Sequence, residues 1–124
     1  MNPRFFHAWP RFIALASCAI MLSHAARAAG KFVVTDFGAV GDRSTLNTRS
    51  IQNSIDAAAA AGGGIVEIPS GVFRSGSIFL KPGVELYLAE NAVLLGSEQI
   101  ADYPKRITRI EGHFEPWRMA LVNA

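Results

Sequence analysis

Short apolar runs separated by turn residues dominate residues 62–96. Val84, Leu86 and Leu88, for example, alternate with more polar positions. A period of two is typical of half-buried strands, so one face of each run is apolar. The runs are separated by residues that supply a fixed or positive φ, namely Pro69-Ser70-Gly71, Gly76, Lys81-Pro82-Gly83 and Glu90-Asn91. These corners come too often for a flat sheet of long strands.

The spacing of the runs indicates a repeat. Predicted strands start near Ile65, Ser77, Val84 and Ala92, and the pattern at Ile65 returns at Leu86, after 21 residues. That interval suits one coil of a parallel β-helix, which buries its inner face only against neighbouring coils about 4.8 Å away. The spacing alone leaves open an ordinary sandwich or meander of short antiparallel strands.

One helix is predicted, over about Thr48–Ala61. Asn47 or Thr48 is placed to cap its start, and Gly62 supplies the left-handed residue with which helices often end. The apolar positions fall on one stripe, consisting of Ile51, Ile55, Ala58 and Ala59. We expect this stripe to lie across the first coil, because an uncovered coil exposes apolar side chains and an unpaired strand edge.

The N-terminus has the pattern of a secretory signal. A basic segment, Met1–Arg11, is followed by an apolar run, Phe12–Leu22, and then by small residues at Ala26-Arg27-Ala28. This order predicts a signal peptide over residues 1–28, and hence a secreted or periplasmic protein. The apolar run falls short of the roughly 20 residues that span a bilayer, which argues against a membrane anchor.

A lipid anchor at Cys18 is the alternative for this segment. Leu15-Ala16-Ser17-Cys18 resembles the box that precedes a lipid-modified cysteine in bacterial lipoproteins. An apolar rather than a polar segment follows Cys18, which favours the cleaved signal. Cys18 is the only cysteine, so the exported part enters an oxidising compartment without disulfides.

Removal of the signal changes the charge balance. The whole chain has 12 basic and 10 acidic side chains, whereas residues 29–124 keep nine basic side chains against the same ten acidic ones. We therefore expect no basic footprint for nucleic acid, and no membrane partner once the signal is cleaved. We also predict no metal or cofactor: the loop Asp36–Asp42 fits neither an EF-hand nor a P-loop, and its aspartates are expected to bond backbone N–H groups.

The pattern loosens after Gly96. Ile107–Gly112 is predicted as another strand, and Met119–Asn123 as the start of one more. A solenoid that stopped there would leave its last coil uncovered, so we expect residues 29–124 to be the incomplete N-terminal part of a longer domain. We expect these 124 residues alone to be inactive.

The order of motifs resembles a known superfamily. Residues 34–42 (VTDFGAVGD), Ile51-Gln52, Ile55–Ala58 and residues 62–71 (GGGIVEIPSG) are similar to the N-terminal segment of the pectin-lyase-like superfamily. Within it, four further segments resemble the polygalacturonase branch, glycoside hydrolase family 28: Leu86-Tyr87-Leu88, Leu94–Ser97, Asp102-Tyr103-Pro104 and Glu111-Gly112. The resemblance covers nearly all of residues 31–124.

The resemblance implies a right-handed parallel β-helix that acts as a monomer on pectin and hydrolyses galacturonosyl bonds with inversion, without metal or cofactor. Such a reaction needs a carboxylic acid and a carboxylate roughly 6.5–9.5 Å apart. The family's catalytic motifs are Asn-Thr-Asp, a paired Asp-Asp, Gly-His-Gly and Arg-Ile-Lys. The nearest sequences depart from them: Asn47-Thr48-Arg49, Gly112-His113-Phe114 and Arg106-Ile107-Thr108. No catalytic residue is therefore assigned, and the catalytic aspartates are expected beyond residue 124.

His113 is the only histidine outside the signal segment. One hypothesis makes it part of a sugar subsite, with Trp117 as a stacking platform and Arg109 or Arg118 binding a carboxylate. The favoured interpretation is a polar corner of a coil, with Trp117 packed on the side of the solenoid.

Glu111 and Glu115 are disfavoured as an acid/base pair, because nothing in the sequence supplies the burial that separates the pKa values of two carboxyl groups.

Two other functions stay open at this point. A polysaccharide lyase or a related enzyme of the same superfamily would use calcium or a basic residue. A non-enzymatic β-helix for adhesion or glycan binding would have no carboxylate cluster in its later coils.

Overall fold

The computed structural model describes residues 29–124, which wind into three coils. The first coil consists of β1 (Gly30–Val33), a 3₁₀ turn (Val34–Phe37), β2 (Asp42–Leu46) and α1 (Thr48–Ala60). The second consists of β3 (Gly64–Ile68), β4 (Gly71–Ser75) and β5 (Ile78–Phe79). The third consists of β6 (Val84–Leu88), β7 (Ala92–Gly96) and β10 (Val122–Asn123). Between β7 and β10 lie a 3₁₀ turn (Ile100–Asp102), β8 (Lys105–Ile110) and β9 (His113–Arg118).

The predicted signal peptide, residues 1–28, and the alternative lipid site at Cys18 lie outside the described residues. Within residues 29–124, the structure contains no helix whose length and apolar character would let it cross a bilayer.

Strands of successive coils pair in parallel. Three parallel sheets result, with the orders β1-β3-β6, β2-β4-β7 and β5-β10. Ile65 lies opposite Glu85 and Val66 opposite Leu86, so one coil takes 20 residues in the first sheet rather than the predicted 21. The predicted solenoid is confirmed, and the alternative of a sandwich or antiparallel meander is wrong. Among the described strands, β8 and β9 alone pair antiparallel.

β4 (Gly71–Ser75) lies in a segment for which no strand is predicted. Gly71 and Gly76 bracket this segment, and its last two residues, Arg74 and Ser75, are polar, so the sequence pattern did not indicate a strand. In the structure Ser75 is buried, and its hydroxyl donates to the carbonyl oxygen of Gly76 at 2.9 Å. This local bond satisfies the hydroxyl and allows the strand to face the interior.

The helix covers the apolar interior as predicted. Val66, Ile68 and Phe73 of the second coil are buried, and the helix adds Ile51 and Ile55, which have no exposed surface. These residues belong to one core, against which the partly buried leucines of the third coil pack. The stripe predicted on α1 therefore faces the solenoid.

The two ends of the helix differ in how well they were predicted. Gly62 has a φ of 91°, and the N–H groups of Gly62 and Gly63 donate to the carbonyl oxygens of Ala59 and Ala58 at 3.0 and 2.9 Å. This pair of bonds is a Schellman motif, which confirms the predicted role of Gly62. The predicted side-chain cap at Asn47 or Thr48 is wrong, because no such bond forms there.

Asn47 and Thr48 instead connect the helix to neighbouring strands and loops. The Asn47 side chain accepts the N–H of Val40 at 2.8 Å and donates to the carbonyl oxygens of Val40 and Thr45 at 2.9 and 3.0 Å. The Thr48 hydroxyl accepts the N–H of Gly76 at 2.8 Å. These two side chains therefore form hydrogen bonds with other parts of the fold instead of capping the helix.

The polar positions of α1 complete the edge of β5. The Gln52 side chain accepts the N–H of Phe79 at 2.8 Å and donates to its carbonyl oxygen at 3.0 Å. One amide group thus makes the two bonds that a further strand would make. One turn along, the Asp56 carboxylate lies 2.9 Å from Nζ of Lys81. The helix therefore covers the apolar interior and pairs with the backbone edge of β5 in the second coil.

We predict that Gln52→Ala lowers the free energy of unfolding by about 1–3 kcal/mol, because it leaves a half-buried N–H and carbonyl without partners. Urea unfolding followed by circular dichroism measures the change. Asn53→Ala is the matched control, since it removes an amide from the neighbouring, exposed position of the same helix. Equal losses in the two variants would contradict the edge-pairing role of Gln52.

Candidate functional site

The polar and aromatic side chains singled out near His113 lie on an antiparallel hairpin outside the three coils. Its strands are β8 and β9, and its loop is Glu111-Gly112, with φ angles of 49° and 91°. Two positive φ values in a two-residue loop define a type I′ turn, which suits the twist of a hairpin. The predicted strand Ile107–Gly112 thus ends at Ile110, and the strand expected over Met119–Asn123 shortens to Val122–Asn123.

Strand pairing divides the hairpin side chains between two faces, because directly opposite residues of an antiparallel pair share a face. Trp117 lies opposite Arg106, and His113 lies opposite Ile110, on the same face. Arg109 lies on the other face, opposite Phe114. The hypothetical subsite is therefore split: Trp117 and His113 share a surface, and the predicted arginines do not join them.

Arg106 is the arginine that accompanies Trp117. Its guanidinium carbon lies 4.0 Å from the centre of the Phe79 ring, a cation–π contact that joins the hairpin to β5. Sequence reasoning missed this residue. The Glu111-Gly112 dipeptide between two β-prone runs was the available signal, since a two-residue turn there places Arg106 opposite Trp117.

The favoured interpretation of His113 as a corner of a coil is also wrong. His113 is exposed in a strand rather than at a corner of a coil. Trp117 is 56% exposed, on the face from which Arg106 contacts Phe79 of β5, so the solenoid covers it at most in part. Glu111 is at the exposed turn and Glu115 is exposed on β9. The hairpin therefore supplies no buried pair of carboxyl groups.

Arg118 has a structural task. Its Nη1 donates to the carbonyl oxygens of Ile100 and Tyr103, both at 3.1 Å, and so joins the base of the hairpin to the preceding 3₁₀ turn. That turn is held in place by the Tyr103 hydroxyl, which donates to the carbonyl oxygen of Ser97 at 2.9 Å, and by a hydrogen bond between Ser97 and Asp102. The hairpin thus stands on a fixed base.

Asp42 is a structural aspartate, as predicted. Its carboxylate accepts the N–H of Thr45 at 2.7 Å, the Thr45 hydroxyl at 2.7 Å and the N–H of Ser44 at 3.0 Å. These bonds, that of the Thr45 N–H foremost, hold the pKa of Asp42 below its ordinary value of 3.8. Asp36, the other aspartate of this loop, lies in the 3₁₀ turn after β1.

No metal cluster is found in the part of the chain that the structure describes. No group of three or more His, Cys, Asp or Glu side chains there is placed to bind a metal ion. A cleft of about 350 Å³ lies beside the end of α1. Its walls contain no polar side chain, consisting of Ala29, Gly30, Phe32, Ala61, Gly62, Gly63, Gly64 and Gly83. The cleft therefore offers no group for acid–base chemistry.

Two known proteins are similar to this segment in sequence or in structure. An exo-poly-alpha-D-galacturonosidase from Dickeya chrysanthemi is 46% identical over 71 residues, which is 57% of this chain and 12% of the relative. The structure of a family 28 exopolygalacturonase from Yersinia enterocolitica is 41% identical, with a TM-score of 0.67 over 77% of this chain and 17% of that one. The resemblance to glycoside hydrolase family 28 is confirmed. So is the predicted β-helix with its capping helix.

The polygalacturonase-like segment is also similar to another group of proteins. The A-module of the mannuronan C-5 epimerase AlgE4 from Azotobacter vinelandii is 40% identical, with a TM-score of 0.52 over 55% of this chain and 21% of that one. No family model matches the chain. The chain spans between about an eighth and a fifth of the length of these three proteins, so the similarity concerns a part of each.

We predict that Asp42→Ala flattens the dependence of stability on pH in acid. A carboxyl group whose pKa is lower in the folded than in the unfolded chain stabilises the fold above the unfolded pKa, and this contribution is lost as the pH falls through the folded value. The unmodified protein should therefore lose stability between about pH 5 and pH 2, and the variant should lose less over the same window.

Urea unfolding midpoints at several pH values measure this difference. Asp36→Ala is the control, because it removes an exposed carboxylate from the same loop. If Asp42→Ala and the unmodified protein gave parallel curves below pH 5, the bonds to Ser44 and Thr45 would not hold the carboxylate in its charged form.

Proposed function

We propose that the protein is a polygalacturonase-type glycoside hydrolase that cleaves galacturonosyl bonds in pectic polysaccharide. The observation that supports this most strongly is the match to the Yersinia exopolygalacturonase, which covers 77% of the chain at a TM-score of 0.67. Residues 29–124 make up the same share of the chain, whereas the match to the epimerase module covers 55%. The longer and closer match favours the hydrolase.

The part played by residues 29–124 in this enzyme is structural. Neighbouring coils lie about 4.8 Å apart, so equivalent positions on stacked coils offer the separations that an acid and a base need across a glycosidic bond. The capped first coil fixes the axis and register of the coils stacked on it. The reaction needs catalytic carboxylates that residues 29–124 do not supply, and it inverts the anomeric carbon if the two groups lie roughly 6.5–9.5 Å apart.

A second candidate is a uronan epimerase or lyase of the same superfamily. The 40% identity to the AlgE4 module supports it. Galacturonan and mannuronan are both linear polymers of uronic acid, so the two candidates share the class of substrate and differ in the reaction.

We propose further that residues 1–28 direct the protein to the periplasm or the exterior, with a lipid anchor at Cys18 as the alternative. The order of basic, apolar and small residues supports cleavage after residue 28. Mass spectrometry of the exported protein tests this, since a mature chain beginning at Ala29 supports the signal peptide and a lipid-modified Cys18 overturns it. The exported protein acts as a monomer, which its sedimentation tests.

We predict that the full-length protein cleaves polygalacturonate with the formation of one new reducing end per bond cleaved. Reducing-sugar assays and proton NMR of the products measure this. Products with an ultraviolet-absorbing double bond would instead identify a lyase, and a change of sugar configuration without cleavage would identify an epimerase. Binding of the polymer with no change in it would leave a glycan-binding β-helix.

A further inference from the structure

Charge is segregated between the hairpin and the coils. The hairpin, residues 105–118, contains four of the nine basic side chains of residues 29–124 but two of the ten acidic ones. The rest of the described chain, residues 29–104 and 119–124, has five basic and eight acidic side chains. The overall composition predicts no basic surface. The hairpin nevertheless has a net positive charge, and the rest of the described chain has a net negative one.

Within the hairpin, the cations are concentrated on one face. Lys105 and Arg118 form one opposite pair on this face, and Arg109 with Phe114 forms another. No carboxylate shares the face: Glu115 is on the opposite side, beside Thr108, and Glu111 is at the turn. We call this surface the basic face; it consists of Lys105, Ile107, Arg109, Phe114, Pro116 and Arg118.

The basic face also exposes two large apolar side chains. Ile107 and Phe114 keep 74% and 73% of their surface exposed. Apolar side chains beside cations complement a ligand in which anionic groups alternate with the apolar faces of rings. A polymer of uronic acids has that composition, with one carboxylate on each sugar ring, and Arg binds carboxylates with directed N–H donors.

We propose that the basic face of the hairpin binds a uronic-acid polymer, with Arg109 pairing to a carboxylate and Phe114 contacting a sugar ring. The proposal rests on the proposed function, which supplies the substrate class. Lys105 and Arg109 are four residues apart on one strand, roughly 13 Å at about 3.3 Å per residue, so they contact different sugars of one chain. The ligand is therefore a polymer or an oligomer rather than a single sugar.

Binding of an oligogalacturonate to the full-length protein, measured by isothermal titration at low ionic strength, tests this. We expect Arg109→Ala to raise Kd about fivefold, since an exposed charge contact is worth up to about 1 kcal/mol. Arg109→Lys, which keeps the charge, should recover most of the affinity. In about 1 M salt the difference between Arg109→Ala and the unmodified protein should vanish, because the screening length falls to about 3 Å.

The matched control is Arg49→Ala, which removes an arginine from the exposed surface of α1 and leaves the hairpin unchanged. Phe114→Ala tests the ring contact without a change of charge, and should weaken binding at both salt concentrations. Circular dichroism of each variant confirms that the fold is kept. Equal affinity of Arg109→Ala and Arg49→Ala for oligogalacturonate would overturn the proposal.

Failure of the proposed function gives a different result. If the protein cleaves galacturonan but Arg109→Ala binds it normally, the basic face has no role and the hydrolase stands. If the protein leaves galacturonan intact but binds oligomannuronate with the same dependence on Arg109, the hydrolase is wrong and the basic face stands. Binding to vesicles containing phosphatidylglycerol, without binding to either uronate, would overturn the basic face as a glycan site.

Discussion

A parallel coil satisfies its backbone and its apolar side chains only through its neighbours, and the first coil of a solenoid has a neighbour on one side only. In this protein α1 replaces the missing neighbour. Its apolar stripe, which includes Ile51 and Ile55, covers the interior, while the Gln52 amide pairs with the backbone of Phe79 as a strand would. One 13-residue helix thus covers the apolar interior and pairs with a backbone edge, and the remaining coils stack on the end that it closes.

The hairpin shows how the solenoid accepts an excursion without losing register. The chain leaves after β7 and returns at β10, and Ile78 then donates its N–H to the carbonyl oxygen of Leu121 at 2.8 Å, as Leu80 does to Asn123 at 2.7 Å. Gly76 permits the crossing, because a Cβ there would clash with the backbone of Asp102. An insertion fixed at both ends in this way is free to present side chains that no coil position offers.

Much of the fold follows from local patterns in the sequence. The alternation in residues 84–88 and the stripe at Ile51 and Ile55 report the buried faces directly, because burial there depends on side-chain hydrophobicity. The corners at Gly62 and Gly83 follow equally from conformational preference. These features carry the fold assignment.

The features that sequence reasoning missed depend on tertiary partners. Ser75 is buried because its hydroxyl finds a carbonyl oxygen within the corner, and the Asn47 amide bonds a loop instead of capping α1. The division of Trp117 and Arg109 between two faces depends on the register of a hairpin whose turn was not identified. The candidate glycan-binding surface became visible only when that register was known.

Oxidative cross-linking of cysteine pairs tests the stacked coils most directly, with Cys18 replaced by serine. Ile65→Cys with Glu85→Cys places the two Cα atoms on adjacent parallel strands, about 4.8 Å apart and within reach of a disulfide. Ile65→Cys with Tyr87→Cys offsets them by two residues, to roughly 8 Å, beyond that reach. The parallel register predicts rapid cross-linking of the first pair and little of the second. The reverse order, or equal rates, would contradict the coil register on which the fold assignment rests.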